Sequence, residues 1–194
     1  MTINFIAQSK LPTMWGTFNL HVFIDSADNK EHLLLAMGEV DTLQPILTRI
    51  HSECLTGDAL FSLRCDCGPQ LQEAMRAISL AGAGAILYLR QEGRGIGLAN
   101  KIRAYALQDQ GLDTVEANKE LGFDADERNY SICQHMLEHV GITSVNLLTN
   151  NQDKVKALTE LGITVASRVA LHVGKNSHNQ DYLAVKKDKM QHIE

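Results

Sequence analysis

The chain has 194 residues, slightly more than the usual size of one domain and enough to bury an ordinary core. Hydrophobic residues make up 44% and charged residues 21%, which is common globular usage, while aromatics at 5% point to an aliphatic core. A formal net charge of −5 excludes the basic field of a non-specific nucleic-acid binder, so a polyanionic ligand needs a local pocket of Arg and Lys.

No run of about 18 apolar residues occurs, so no transmembrane helix and no membrane partner are predicted. Met1–Lys10 lacks the basic-then-apolar pattern of a secretory signal, which predicts a cytoplasmic chain with reduced thiols. The four cysteines are then buried hydrophobes or metal ligands, not a disulfide framework.

The first fifty residues read as short strands. Phe18–Phe23 alternates apolar and polar, His32–Met37 is an apolar run, and Pro45–His51 is strand-like. Ser52–Gly68 has no clean period. Leu71, Ala74, Met75 and Ile78 then line one face of a helix ended by Gly82 and Gly84. Ala85–Leu89 reads as a buried strand, and Leu98, Ile102, Tyr105 and Ala106 mark a second helix stopped by Gly111. A third carries Ile132, Cys133, Met136, Leu137 and Val140 and stops at Gly141. Val145–Leu148 and Thr164–Val169 are further strands, with a short helix near Lys154–Leu161 between them. Helices between strands predict an α/β layered fold, one domain over residues 1–194. The strand-rich front makes its sheet mixed, not purely parallel. The polar stretch 175–194 is expected to be a loosely held end.

Cys54, Cys65 and Cys67 follow the spacing C-x10-C-x-C. Zinc takes tetrahedral thiolate or imidazole ligands, and three cysteines leave one position for the water that catalysis needs. The spacing leaves a structural site equally open, with His51 three residues upstream as its fourth ligand. Cys133 lies on the apolar side of its helix and reads as core.

The surrounding residues decide between these readings. Arg49-Ile50-His51-Ser52-Glu53-Cys54-Leu55-Thr56-Gly57-Asp58 leads to Arg64-Cys65-Asp66-Cys67-Gly68. Arg90-Gln91-Glu92-Gly93-Arg94-Gly95-Ile96-Gly97-Leu98 and Asn100-Lys101 follow, then Asp113-Thr114-Val115-Glu116-Ala117-Asn118, Leu121-Gly122 and Asp126-Glu127-Arg128. This ordered set, from about Leu11 to about Leu171, resembles the GTP cyclohydrolase II family. The resemblance implies ring opening of GTP at C8, loss of formate and of pyrophosphate, and a diaminopyrimidinone ribosyl phosphate as product. It implies one zinc per subunit on Cys54, Cys65 and Cys67, magnesium with the triphosphate, and a homodimer. The second catalytic domain of larger members does not fit in this length.

By the same resemblance Tyr105 relays a proton near the base, and Asp126 with Arg128 serves the phosphate half of the reaction. The family describes Arg128 as a nucleophile. A guanidinium is a poor nucleophile while protonated, so charge stabilisation is the alternative role. Arg49, Ile50, His51, Ser52, Glu53 and Gln70 match nucleotide-contacting positions, as do Glu92, Gly93, Arg94, Thr114, Thr149 and Lys154. The chain departs from the family pattern at Gln152, where proline is usual, and in the runs Gly174–Asn179 and Lys189–His192. Two rivals stand beside the enzyme reading. One is a paralogue that stops at the formylated product, which Tyr105 disfavours. The other is a non-catalytic zinc and nucleotide sensor, which Asp126 and Arg128 disfavour.

Overall fold

Among the described residues, seven strands pair into one sheet in the order β1-β2-β3-β5-β4-β6-β7. The computed structural model describes residues 2–40 and 44–189. The strands are β1 (Ile3–Thr13), β2 (Gly16–Asp25), β3 (Lys30–Met37), β4 (Ile46–Ser52), β5 (Gly84–Leu89), β6 (Ser144–Leu148) and β7 (Thr164–Val169). β1, β2, β3 and β5 pair antiparallel, whereas β5, β4, β6 and β7 pair parallel, so the sheet is mixed as predicted. The helices are α1 (Leu55–Asp58), α2 (Cys67–Ala81), α3 (Gly97–Gln108), α4 (Thr114–Glu120), α5 (Ile132–His139), α6 (Gln152–Glu160) and α7 (Gln180–Lys189). None of them is long and apolar enough to cross a membrane.

Successive side chains on a strand face opposite sides, and the two cores follow from that rule. Leu87 and Leu89 of β5 and Ile50 of β4 pack with Met136 and Leu137 of α5 and Leu158 of α6. Ile86 packs on the other face with Ala74, Met75 and Ile78 of α2, the face read from the sequence. Cys133 is fully buried in the first cluster, the core role expected of it. β4 is where the chain order reverses, since β5 lies on one side of it and β6 on the other. Ligands of such sheets bind beyond the carboxyl ends of the strands at that switch point. Here those ends lead directly to Glu53, Arg90 and Thr149.

Four elements were not foreseen, the shortest being α1, a single turn inside the stretch that shows no clean period. β1 is an edge strand, exposed along nearly its whole length, so it lacks the alternation that marks a half-buried strand. α4 is only seven residues long, but Asp113 and Glu116 form a reciprocal capping box at its start. α7 falls within the stretch expected to be a loosely held end. Met190–His192, part of the departing terminal run, lie outside the described residues.

Candidate active site

The chain leaves β4 at Ser52 and reaches Cys54 two residues later, which ties the first sulfur to the strand end. Cys65 and Cys67 arrive from the loop that opens α2. Tetrahedral zinc–sulfur bonds of about 2.3 Å place neighbouring sulfurs about 3.8 Å apart. The Sγ atoms of Cys54 and Cys65 are 3.7 Å apart, and all three sulfurs lie within 4.8 Å of one another. The donor set therefore fits a zinc ion. Among the described residues no fourth His, Cys, Asp or Glu joins the group, which leaves one tetrahedral position outside the protein ligands.

Backbone packing keeps that cluster open. A Cβ on Gly57 would stand 2.8 Å from Cys65 Sγ and 3.2 Å from Cys54 Sγ, filling the space the sulfurs face. Sulfur–sulfur hydrogen bonding to Cys65 and Cys67, with Lys101 behind it, holds the Cys54 thiol far below its usual range despite burial. The same coupling to Cys54 pushes Cys65 up to about 11. The Lys101 ammonium favours negative charge on the Cys54 sulfur.

Lys101, on α3, meets that charge. Its Nζ donates to Cys54 Sγ at 3.0 Å and to Glu92 Oε1 at 2.8 Å. Glu92 Oε2 accepts from Leu55 N at 2.7 Å, which fixes the first residue of α1 beside Cys54. Both side chains of the pair are 9% exposed, so the ion pair is buried and removal of either partner would strand the other.

His51 is not a metal ligand in this arrangement. Its Nε2 faces both oxygens of Asp58, at 3.0 and 3.1 Å, and its ring stacks on Tyr88. Asp58 Oδ2 also accepts from Cys54 N at 3.0 Å and from Tyr88 Oη at 2.9 Å. Burial holds the His51 pKa below its usual value, with Asp58 opposing the shift. The buried Nδ1 has no hydrogen-bond partner among the described residues. The structural zinc site completed by His51 is thereby set aside.

Cations gather around the same cavity. Arg49 is buried, with Nη1 donating to Leu148 O at 2.9 Å, Nη2 donating to Gln70 Oε1, and Nε without a partner among the described residues. Lys154, in the first turn of α6, donates to Ile50 O at 2.8 Å. Burial, then the Arg49 and Arg128 charges, holds its pKa well below the usual lysine value. Arg128 is clamped by both oxygens of Asp126, two of the contacts being 2.8 and 3.0 Å, and this raises its pKa against the effect of burial.

One turn serves both the sulfurs and the cations. Gly93 and Arg94 adopt left-handed backbone, and the Arg94 carbonyl accepts from Glu127 N at 3.0 Å. Gly95 follows at φ +98°, and a Cβ there would meet Glu127 backbone at 2.9 Å, so only glycine lets the turn dock on the 126–128 loop. Gln91 completes the link, donating to Ser52 Oγ at 3.0 Å and accepting from Asn129 N at 3.3 Å.

A three-sulfur metal site facing buried arginines and a lysine, at a sheet switch point, agrees with the motif order along the chain. The family model for GTP cyclohydrolase II matches residues 4–170. The chain belongs to the GTP cyclohydrolase II family. It is 61% identical to the GTP cyclohydrolase-2 of Pseudomonas fluorescens over 193 residues, covering 100% of this chain and 94% of that protein. The GTP cyclohydrolase-2 of Azotobacter vinelandii is 62% identical, with coverage of 100% and 93%. That of Saccharophagus degradans is 60% identical, with coverage of 100% and 96%. The chain is thus an enzyme, a hydrolase of the GTP cyclohydrolase II family.

Most positions matched to this family face one cavity: Arg49, His51, Ser52, Glu53, Gln70, Gly93, Arg94, Thr114, Thr149 and Lys154, with the cysteines, Tyr105 and Arg128. Three do not line it. Ile50 is fully buried in the core on the opposite sheet face, and only its carbonyl reaches Lys154. Glu92 is turned to Lys101 and Leu55, and Asp126 stands behind Arg128. Lys101, Asp58, Tyr182 and Lys186 were not singled out from the sequence. The first two sit inside the motif runs, whereas the last two carry no motif signal.

Proposed function

We propose that this enzyme hydrolyses GTP, opening the guanine imidazole ring at C8, releasing formate and pyrophosphate, and leaving a diaminopyrimidinone ribosyl phosphate as the first step of riboflavin synthesis. The observation that carries this reading is one cavity lined both by a three-sulfur metal site and by Arg49, Arg94, Arg128 and Lys154. Cys54, Cys65 and Cys67 would hold zinc. When bound, zinc lowers the pKa of water from about 15.7 to about 7 and so supplies hydroxide at neutral pH.

C8 lies between two nitrogens and is the electrophile. Tyr105 is half-buried beside the sulfurs, with the Arg64 guanidinium 4.4 Å above its ring. Burial raises its pKa, so the phenol keeps its proton and can donate it to the ring nitrogen as the bond opens. His51 Nδ1, which has no partner among the described residues, can accept a hydrogen bond from the base. Arg128, kept charged by Asp126, neutralises charge on the transferring phosphoryl group instead of attacking it. Arg49, Arg94 and Lys154 take the remaining phosphate oxygens, with magnesium accompanying the triphosphate. The homodimer implied by family resemblance belongs to the same reading.

The test is metal analysis joined to product identification from GTP. The expected result is one zinc per chain and equal amounts of formate and pyrophosphate. A formylated product without formate overturns the second hydrolysis, and GTP binding without turnover overturns the enzyme reaction as a whole.

A further inference from the structure

We propose that α7 is a cap over the nucleotide cavity and that Lys186 on it is a further phosphate-binding residue. Neither hydrophobic cluster contains a residue of α7, so the helix is not fastened to the sheet by apolar packing. It is fastened to the site. Lys186 Nζ donates to Asp66 Oδ1 at 2.6 Å, and Asp66 lies between two of the cysteines. Tyr182 and Lys186 both line the cavity, the ammonium 4.8 Å above the tyrosine ring. A second hollow, which Lys186 and Asp66 also line, lies between α7 and residues 171–175.

The chemistry of the cavity favours an anion as the second partner of Lys186. Its charge is near enough to Lys154 to depress the pKa of that lysine, together with Arg49 and Arg128. Arg49 Nε and Arg94 Nη1 are buried in the same region with no acceptor among the described residues. Unpartnered buried donors are costly, and phosphate oxygens are the acceptors that would satisfy several at once. Asp66 does not lose all compensation when Lys186 turns away, because its Oδ2 still accepts from Gln70 Nε2 at 2.6 Å. Lys186 can therefore exchange or share a carboxylate for a phosphate, and α7 closes as it does so. The nucleotide in this inference rests on the function proposed above. The phosphate affinity does not.

Inorganic tripolyphosphate serves as the probe, with full-length zinc-loaded protein. Lys186→Met is expected to weaken tripolyphosphate binding and raise the KM for GTP by roughly tenfold each, with kcat unchanged, as loss of one charge-assisted contact predicts. Lys186→Arg, which keeps the charge and the contact to Asp66, is expected to restore most of both, and guanosine inhibition should be equal in all three proteins. Tripolyphosphate should also slow tryptic cleavage at Lys175 and Lys186 of the wild-type chain. Unchanged tripolyphosphate binding in Lys186→Met, or a loss that Lys186→Arg does not repair, overturns the role of Lys186. Cleavage indifferent to the anion overturns the cap. If wild-type protein binds tripolyphosphate through Lys186 but releases no formate from GTP, the cap stands and the ring-opening reading falls.

Discussion

The sulfur site and the phosphate site of the cavity are built on opposite rules. At the sulfur site Cys54 is met by Lys101, Lys101 by Glu92, Glu92 by Leu55 N, and His51 by Asp58. Charges there are balanced by neighbours within hydrogen-bond reach. At the phosphate site Lys154 is held by a backbone carbonyl. Arg128 there is clamped by Asp126, yet Arg49 and Arg94 each keep a buried donor that no described group accepts, an arrangement that an anionic ligand completes. The difference teaches that folding, together with an ion, finishes one site, whereas only substrate finishes the other.

If that division holds, damage at one site should spare the other. The largest effect is expected from Cys54→Ser, which removes a ligand and should bring zinc content and formate release to background. Tripolyphosphate affinity, measured by calorimetry, should stay near wild type; its collapse would break the division. Arg128→Ala is expected to lower the rate of pyrophosphate release by about 10³–10⁵. Zinc content in that variant should be unchanged, because Arg128 is bonded to Asp126 and not to the sulfur network.

The sulfur site was the more legible in the sequence because its ligands are chemically distinctive and close together. Its second layer was less so. A lysine one turn into a helix ordinarily reads as solvated, and Lys101 is buried only because Cys54, 47 residues away in the chain, lies against it. Period-two alternation along β4 could have separated Arg49 and His51 from Ile50, which the resemblance alone placed together. The central strands, α2 and α5 followed from apolar spacing, because each buries one face, whereas α3 leaves Leu98 and Ile102 of the face read from its spacing exposed and buries Lys101 and Ala104 toward the site. β1 and α7 escaped for the converse reason. The first is exposed along both faces, and the second has its apolar residues, Tyr182 to Val185, in one run with no helical period.

A smaller effect would sharpen the account of the sulfur site. Lys101→Met removes the donor to Cys54 and leaves Glu92 buried without its cation. Residues of this kind, one layer out from a metal, typically govern affinity by about 10- to 100-fold. Titration with a competing chelator should show a loss in that range. Affinity equal to wild type would mean that the cysteines alone set the site and that the network around them is incidental.

The smallest expected effect concerns the turn that the two sites share. Arg90 N donates to His32 Nδ1 at 3.2 Å just before Gln91–Gly95, so His32 must be neutral at that nitrogen to hold the turn. Burial depresses its pKa below 6.5, Lys30 and Arg90 add to this, and Asp28 and Asp25 oppose it. An unfolded chain therefore binds more protons than the folded one as pH drops through that range, and folding weakens. The stabilisation is complete above about pH 6.5 and is lost as pH falls toward the depressed value. Melting temperature should fall between pH 7 and pH 5.5, by roughly 2–4 °C for each kcal/mol lost in a chain of this size. His32→Asn supplies an oxygen acceptor that does not titrate, so its melting curve should depend less steeply on pH. Since the turn carries Glu92 toward Lys101 and Arg94 toward the phosphate cations, acid should weaken zinc retention and tripolyphosphate binding together in wild type. Acid loss at only one site would show that the turn does not couple them.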